Sequence, residues 1–337
     1  MNPGLELVLR LVILLLVFIV MSLVVGQTEH KVMAHMQGRL GPMYAGGYHG
    51  WAQLVADAVK FVQKEDVTPR DADRWVFKVA PAIALAPYLV AFSVIPFSST
   101  LVVADVGAGV LFVLAASAVG ILGVLMAGWS SANKYALLGG LRAAAQLLSY
   151  ELPMVLAAAS VALAAGTLSL TGIVDAWNPL WLLWQLPGAF VFLIAAVAEL
   201  KRSPFDMPVA EPEIVMGPLT EYSGLRFAFF MLSEYAGIVV MSLLFTVLFL
   251  GGWHGPFSDV LGPIWTLLKS AVISVLIIWL RSSWPLLRED QLQRLAWLVP
   301  VPPAPAHPAL TSSPARLGSA NQPNSVGPMT WPSSGMV

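Results

Sequence analysis

Residues 199–235 read ELKRSPFDMPVAEPEIVMGPLTEYSGLRFAFFMLSEY, and the rest of the chain is organised around this segment. Its three bases and six acids are Lys201, Arg202, Arg226, Glu199, Asp206, Glu211, Glu213, Glu221 and Glu234. Apolar runs of about membrane-spanning length lie on both sides of it. A solvated loop is one interpretation. However, Glu199 and Glu234 extend the acids into the flanking apolar helices, where carboxylates are costly unless paired or hydrated. This placement favours a proton or ion path.

The composition indicates a polytopic membrane protein. Of the 337 residues, 58% are hydrophobic and only 11% are charged, whereas a soluble domain has about a quarter charged residues. A net charge of −1 argues against a nucleic-acid partner. The absence of cysteine excludes disulfides, thiolate nucleophiles and Cys-ligated metal or iron–sulfur centres in this chain. Neither G-x-x-x-x-G-K-[ST] nor G-x-G-x-x-G occurs, so a nucleotide site in this chain is not expected.

Seven apolar segments are long enough to cross a bilayer, which predicts an all-α membrane helix bundle. They are approximately residues 5–26, 76–97, 105–128, 151–171, 180–198, 227–250 and 264–281. Lys and Arg are absent from the loops 98–104, 172–179 and 251–263. The loops 27–75, 129–150 and 199–226 and the segment after residue 280 hold almost all of them. By the positive-inside rule, we expect the N-terminus outside and the basic loops in the cytoplasm.

Residues 51–62 predict a helix lying in the membrane surface. One face is apolar and the other polar, with Trp51, Leu54, Val55, Ala58, Val59 and Val62 opposite Gln53, Asp57, Lys60 and Lys64. The preceding residues 38–50 hold five glycines and a proline, which is typical of a turn-rich loop. The pair suits a lateral entrance for a lipid-soluble molecule. From the pattern alone, a simple anchoring helix is the stronger interpretation.

Two further segments complete the organisation of the chain. Residues 141–151 predict a helix that precedes a fourth span starting at Glu151. From residue 300 the composition becomes rich in Pro, Ser and Ala without periodicity, so we expect a membrane domain over 1–299 and a disordered tail over 300–337. No inverted repeat of the kind found in many transporters is apparent.

Four motifs resemble one known family. AELKRSPFDMPVAEPEIVMGPLTEYSG (198–224) closely resembles the A-E-x-x-R-x-P-F-D-L-P-E-A-E-x-E-L-V-x-G-x-x-x-E-Y-S-G signature of the quinone-chamber membrane subunit of proton-pumping NADH:quinone oxidoreductase, respiratory complex I. WSSANKYALLGGLRAAAQLLSYELP (129–153) and TEHKVMAHMQGRLGP (28–42) are similar to two more of its motifs. WLRSSWPLLREDQL (279–292) follows its C-terminal motif. Together the motifs cover roughly residues 10–298 in order.

The resemblance implies a multi-pass subunit of the bacterial cell membrane that helps form the quinone (ubiquinone-type) chamber and begins a carboxylate path for proton translocation. Its partners would be peripheral iron–sulfur and quinone-site subunits, small membrane subunits, antiporter-like subunits and lipid. Flavin and iron–sulfur clusters would lie on those partners, with no metal here. By motif, the path residues are Glu151, Glu199, Arg202, Asp206, Glu211, Glu213, Glu221 and Glu234. The chamber entrance would involve Arg39, Gly41, Pro42 and Lys60.

The chain also departs from the family pattern. Residues 208–211 read PVAE where the family has P-E-A-E, so one loop carboxylate is missing. The G-P-N-R-V-G-P pattern is replaced by GPMYAGG at 41–47, and the tail stands where an eighth span is expected after Trp297. These departures suggest a divergent copy, for which a complex fed by a donor other than NADH is one interpretation and a frameshifted or relic tail is another. A stand-alone ion-coupled transporter and a purely structural anchor are the alternatives from other classes.

Overall fold

The computed structural model describes residues 3–298, apart from a few side chains, that of Glu211 among them. The predicted tail, 300–337, lies outside the described residues. Within 3–298 the chain is helical without strands. The α-helices are α1 (Pro3–Met36), α2 (Gln53–Gln63), α3 (Arg74–Val94), α4 (Gly109–Ser130), α5 (Lys134–Ala165), α6 (Leu170–Asp175), α7 (Trp181–Glu199), α8 (Glu211–Ile214), α9 (Gly224–Phe249), α10 (Ser258–Ser283) and α11 (Glu289–Leu298). The predicted all-α fold is confirmed.

Seven helices in this part of the chain are long and apolar enough to cross a membrane, as the sequence predicts. They are α1, α3, α4, α5, α7, α9 and α10. Two predicted boundaries are wrong. The first helix continues to Met36 instead of ending near residue 26, because neither glycine nor proline interrupts residues 27–36. It is followed at Gly38 by a left-handed conformation, with φ 65°.

The second wrong boundary is Glu151, predicted as the start of the fourth span. The structure has one continuous helix, α5, from Lys134 to Ala165. The side chain of Asn133 caps its start by accepting a hydrogen bond from the backbone N–H of Tyr135 at 2.9 Å. Gly166, with φ 70°, ends it. Since nothing breaks the helix between these residues, Glu151 lies in its interior.

Helix α9 is the centre of the bundle. Within its most apolar stretch, 83% of the residues are buried inside the molecule. The helix packs against α1, α2, α3, α7 and α10. A helix that is apolar on all faces is expected in such a position. Because α9 follows the acid-rich segment directly, the segment is joined to the most enclosed element of the fold.

Lys269 of α10 satisfies the end of α9 opposite the acid-rich segment. Its ammonium donates hydrogen bonds to the carbonyls of Leu250, Gly252 and His254, at 2.8, 2.9 and 2.7 Å. The last carbonyls of a helix lack intrahelical donors, and a cation there also interacts favourably with the helix dipole. Lys269 therefore has a structural role at the end of α9.

Candidate functional site

The acid-rich segment leaves the end of α7, crosses one end of the bundle and enters α9. Gln146 of α5 holds its first part, because the side-chain amide donates to the carbonyls of Ala198 at 2.5 Å and Phe205 at 2.9 Å. The later part lies directly on α5 at Gly139, where a Cβ atom would be 2.6 Å from the Pro218 ring and 2.7 Å from the Pro208 carbonyl oxygen. Glycine is thus required for this close approach.

Tyr222 fixes the far end of the segment to α3. Its ring stacks on Phe77, with centroids 4.0 Å apart and 7° between planes. The hydroxyl donates to the Phe77 carbonyl at 3.1 Å. Burial raises the pKa of Tyr222 to about 12, so the phenol remains a neutral donor at physiological pH. The acid-rich segment is therefore held to α5 near its start and to α3 near its end.

A buried ion cluster lies where the segment meets α1, α9 and α10. Arg202 donates to Glu29 Oε1 at 2.5 Å, and Arg281 donates to the same oxygen. The other terminal nitrogen of Arg202 is 3.5 Å from Glu234 Oε2. Glu29 and Arg202 are only 2% and 4% exposed. Two guanidiniums thus balance two carboxylates, as buried charges require.

Two bases of the segment respond differently to burial. Burial lowers the pKa of Arg202, but the carboxylates of Glu29 and Glu234 outweigh it and the net pKa is raised. For Lys201, burial dominates and lowers the pKa, although Glu234, Glu199 and Asp206 act in the opposite direction. Arg202 is therefore a permanent charge, whereas Lys201 is the base whose protonation is easier to change.

A cavity of about 500 Å³ opens beside this cluster. We call it the larger cavity to distinguish it from a neighbouring cavity of about 10 Å³. Its polar lining is formed by Glu29, His30, Lys201, Arg202, Asp206, Glu234, Tyr235 and Arg281. Met33, Met216, Met231, Leu219 and Leu286 provide much of the apolar lining. Glu29 Oε2 and His30 Nδ1 are buried and have no hydrogen-bond partner among the described residues. This mixture of flexible apolar side chains and a few convergent polar groups is typical of a small-molecule site.

A second cavity, the smaller cavity, of about 10 Å³ lies deeper in the bundle. Glu199 lines it and is only 3% exposed. Lys201 and Glu234 line both cavities. A row of ionisable groups therefore runs from the larger cavity, past Glu234, to Glu199.

The structure brings four of the sequence-predicted path residues together at these cavities, namely Glu199, Arg202, Asp206 and Glu234. Glu151 is half-buried and close enough to Glu199 to act on it electrostatically. Glu213 and Glu221 are apart from the cavities. The first accepts a hydrogen bond from Arg142 and the second from Asn133, both at 2.7 Å. The side chain of Glu211 lies outside the described part of the chain.

The residues predicted at the chamber entrance do not line the larger cavity. Arg39 is exposed and donates to Gln37 at 2.8 Å. Lys60 is exposed and pairs with Asp57 at 3.1 Å. Lys31 donates to the Pro42 carbonyl and so holds the turn at Gly41. Their part in an entrance stays a prediction.

The predicted surface helix is present as α2, and the structure divides its apolar face in two. Leu54 points inward, so close to α1 that a Cβ at Gly26 would be 2.8 Å from it. Val55, Val59 and Val62 remain exposed, at 49%, 51% and 68%. Helix α2 thus packs against the bundle on one side and has an exposed apolar side. Its position in the membrane surface stays a prediction.

Sequence reasoning misses Glu29 and Arg281 as members of the ion cluster. Both lie in quoted motifs, but apolar length alone ends the first helix near residue 26 and so places Glu29 in a loop. A signal for Glu29 is present in the sequence. Residues 27–36 contain neither glycine nor proline, so the helix is expected to continue, and Glu29 lies one turn beyond the apolar span. Such a charge is buried only when a base on another element meets it.

Comparison with known proteins gives a consistent result. The NADH dehydrogenase family model matches residues 9–311. The chain is 48% identical over 277 residues to the H subunit of the NADH-quinone oxidoreductase of Geobacillus kaustophilus, a match covering 81% of this chain and 83% of that protein. It is 49% identical over 287 residues to the protein of the same name from Bacillus mycoides, covering 84% and 86%.

Proposed function

Because the chain belongs to the NADH dehydrogenase family, we propose that it is a membrane subunit of an NADH-quinone oxidoreductase. In this role it forms part of the quinone chamber and the start of a carboxylate path that couples quinone reduction to proton translocation. The observation that carries the proposal is the continuous lining of ionisable groups from the larger cavity to Glu199.

The larger cavity suits a quinone headgroup. Its volume of about 500 Å³ is within the range of small-molecule sites. His30 Nδ1, which has no partner among the described residues, can donate to a quinone carbonyl when it carries the proton, and Glu29 Oε2 can accept from a hydroxyl of the reduced quinol. The methionines Met33, Met216 and Met231 offer adaptable contact for its apolar faces. Electrons would come from an iron–sulfur cluster on a partner subunit, since this chain has no cysteine ligand.

Coupling would then be electrostatic. Glu29 and Arg202 are almost fully buried, so a change of charge at the headgroup acts on them more strongly than it would in solvent. Arg202 contacts both Glu29 and Glu234. A new negative charge in the cavity competes for Arg202 and weakens its hold on Glu234. A proton delivered to Glu234 can then pass inward toward Glu199.

Orientation in the membrane follows from the basic loops. We propose an outside N-terminus and a cytoplasmic position for the acid-rich segment and the chain after α11. We expect a reporter enzyme fused after Val337 to be active only on the cytoplasmic side, because seven spans that begin outside end inside. Activity on the outer side alone would contradict both the span count and the orientation.

The exposed side of α2 is proposed to border the route for the quinone tail. We expect Val59→Asp to impair quinone reduction several-fold, because a carboxylate on this lipid-facing side disfavours an isoprenoid chain. Electron transfer to a water-soluble acceptor is expected to remain. The control is Gln63→Glu, which adds the same charge at an exposed polar position on this helix. Equal loss of both activities in Val59→Asp would indicate misassembly instead.

Native gel electrophoresis of solubilised membranes tests the function itself. Co-migration of this chain with iron–sulfur and flavin subunits is the expected result. A free monomer or homodimer would favour a stand-alone ion-coupled transporter. An assembly with iron–sulfur subunits that lacks NADH oxidation would favour a related complex with another donor.

A further inference from the structure

The smaller cavity has room for one water molecule. Its volume of about 10 Å³ is close to the minimum that a single water needs. It lies between four helices and the segment start, and it is lined by Ala84, Tyr88, Gly120, Val124, Glu199, Leu200, Lys201, Ser233 and Glu234. Both carboxylates of the proposed path are therefore at its wall.

Glu199 needs a hydrogen-bond partner at this place. Both of its carboxylate oxygens are buried, and neither has a partner among the described residues. The nearby hydroxyls are engaged elsewhere. Ser117 lies close enough to Glu199 to interact with it, but its single hydroxyl proton is donated to the Leu114 carbonyl at 2.8 Å. Ser233 donates to the Phe230 carbonyl at 2.7 Å. A buried carboxylate without a partner costs free energy, so a bound water is the simplest way to satisfy it.

Tyr88 reaches this cavity because glycines on both sides make space for its ring. A Cβ at Gly120 of α4 would be 3.2 Å from Tyr88 Cε2. A Cβ at Gly237 of α9 would be 3.4 Å from Cε1 and Cζ. The ring is held between two helix backbones and is only 5% exposed. Its position, and therefore that of its hydroxyl, is fixed by packing.

We propose that Tyr88 is a positioning residue that orients one water between Glu234 and Glu199. The phenol accepts or donates one hydrogen bond to the water, and the carboxyl groups take up the remaining directions. When protonated Glu234 gives its proton to the water oxygen, the water releases one of its own protons to the Glu199 carboxylate. One O–H bond breaks and one forms at each step, and the water is unchanged.

The inference rests on the proposed function, and Tyr88→Phe in the assembled complex tests it. This change removes the hydroxyl and leaves the ring between the two glycines. We expect the rate of proton translocation, and quinone turnover with it, to fall about 2- to 10-fold, as the loss of one net hydrogen bond allows. We also expect its pH profile to shift. In infrared difference spectra, the carboxyl C=O band assigned with Glu199→Gln should move to higher wavenumber, because the oriented water is lost.

Tyr150→Phe is the matched control, since its buried hydroxyl serves only to donate to the Leu292 carbonyl at 3.1 Å. We expect that variant to keep the pH profile and the infrared band. Equal changes in both variants would contradict the proposal, as would unchanged translocation and band in Tyr88→Phe. A Tyr88→Phe complex that cannot be isolated would contradict it too, because ring packing is retained. Normal translocation in Glu199→Gln would instead overturn the proposed function.

Discussion

Replacing Arg202 with Met is expected to cause the largest loss of assembled complex. The change leaves Glu29 and Glu234 without the guanidinium they share, and Glu29 is buried. Removing one partner of a buried ion pair typically costs about 3–5 kcal/mol, because the remaining charge is uncompensated. Arg281 still contacts Glu29, but its side chain is 32% exposed, and among the described residues the only ion pair of Glu234 is with Arg202. Native gels and the thermal midpoint of the purified complex measure the loss.

The matched control is Arg288→Met. Arg288 pairs with Asp290 at 2.8 Å, but the two side chains are 77% and 62% exposed, so solvent screens this ion pair and it contributes little to stability. We expect near-normal amounts of complex. The double variant Glu29→Gln with Arg202→Met should recover part of the loss, because it also removes the stranded carboxylate. Equal stability of Arg202→Met and Arg288→Met would show that the cluster is not a structural centre.

Most of the fold could be predicted from apolar length alone. In lipid, a single segment can satisfy all its backbone hydrogen bonds only as a helix. Each run of about 20 apolar residues therefore identifies one span. Helix ends are harder to predict. Residues 27–36 and 134–150 are too polar to score as membrane segments, yet α1 and α5 continue through them. No glycine or proline interrupts residues 27–36, whereas α5 continues through Gly139, Gly140 and Pro153, because tertiary packing overrides local propensity. Hydropathy therefore locates a span but not the ends of its helix.

The candidate site could be predicted less completely. Motif and charge point to Glu199, Arg202 and Glu234, which the fold brings to two adjoining cavities. Glu29 is distant in sequence, and its pairing with Arg202 spans 173 residues. No local pattern specifies which base on one element meets which acid on another. The space for Tyr88 is equally hard to foresee, since it depends on glycines of two other helices.

Glu199→Gln and Glu234→Gln are expected to inhibit the complex while leaving it assembled. Glutamine keeps the size of each side chain and removes its titration, and neither change leaves an unpaired base, because Arg202 retains Glu29. If protons pass from the larger cavity through Glu234 to Glu199, loss of either carboxyl breaks the path. We expect translocation and quinone turnover to fall together, by at least about 10-fold, because each depends on the other in an indirectly coupled machine. Proton uptake and quinone reduction in sealed vesicles measure both.

Glu221→Gln provides the control for these two variants. Glu221 belongs to the same acid-rich segment, but it lines neither the larger nor the smaller cavity, and its partner is the amide of Asn133 at 2.7 Å. Glutamine can still accept that hydrogen bond, and water can replace a carboxyl in a polar loop, so we expect a much smaller effect than at Glu234. Normal rates of proton translocation and of quinone turnover in both Glu199→Gln and Glu234→Gln would exclude them from the path, since a proton relay cannot run through side chains that no longer titrate.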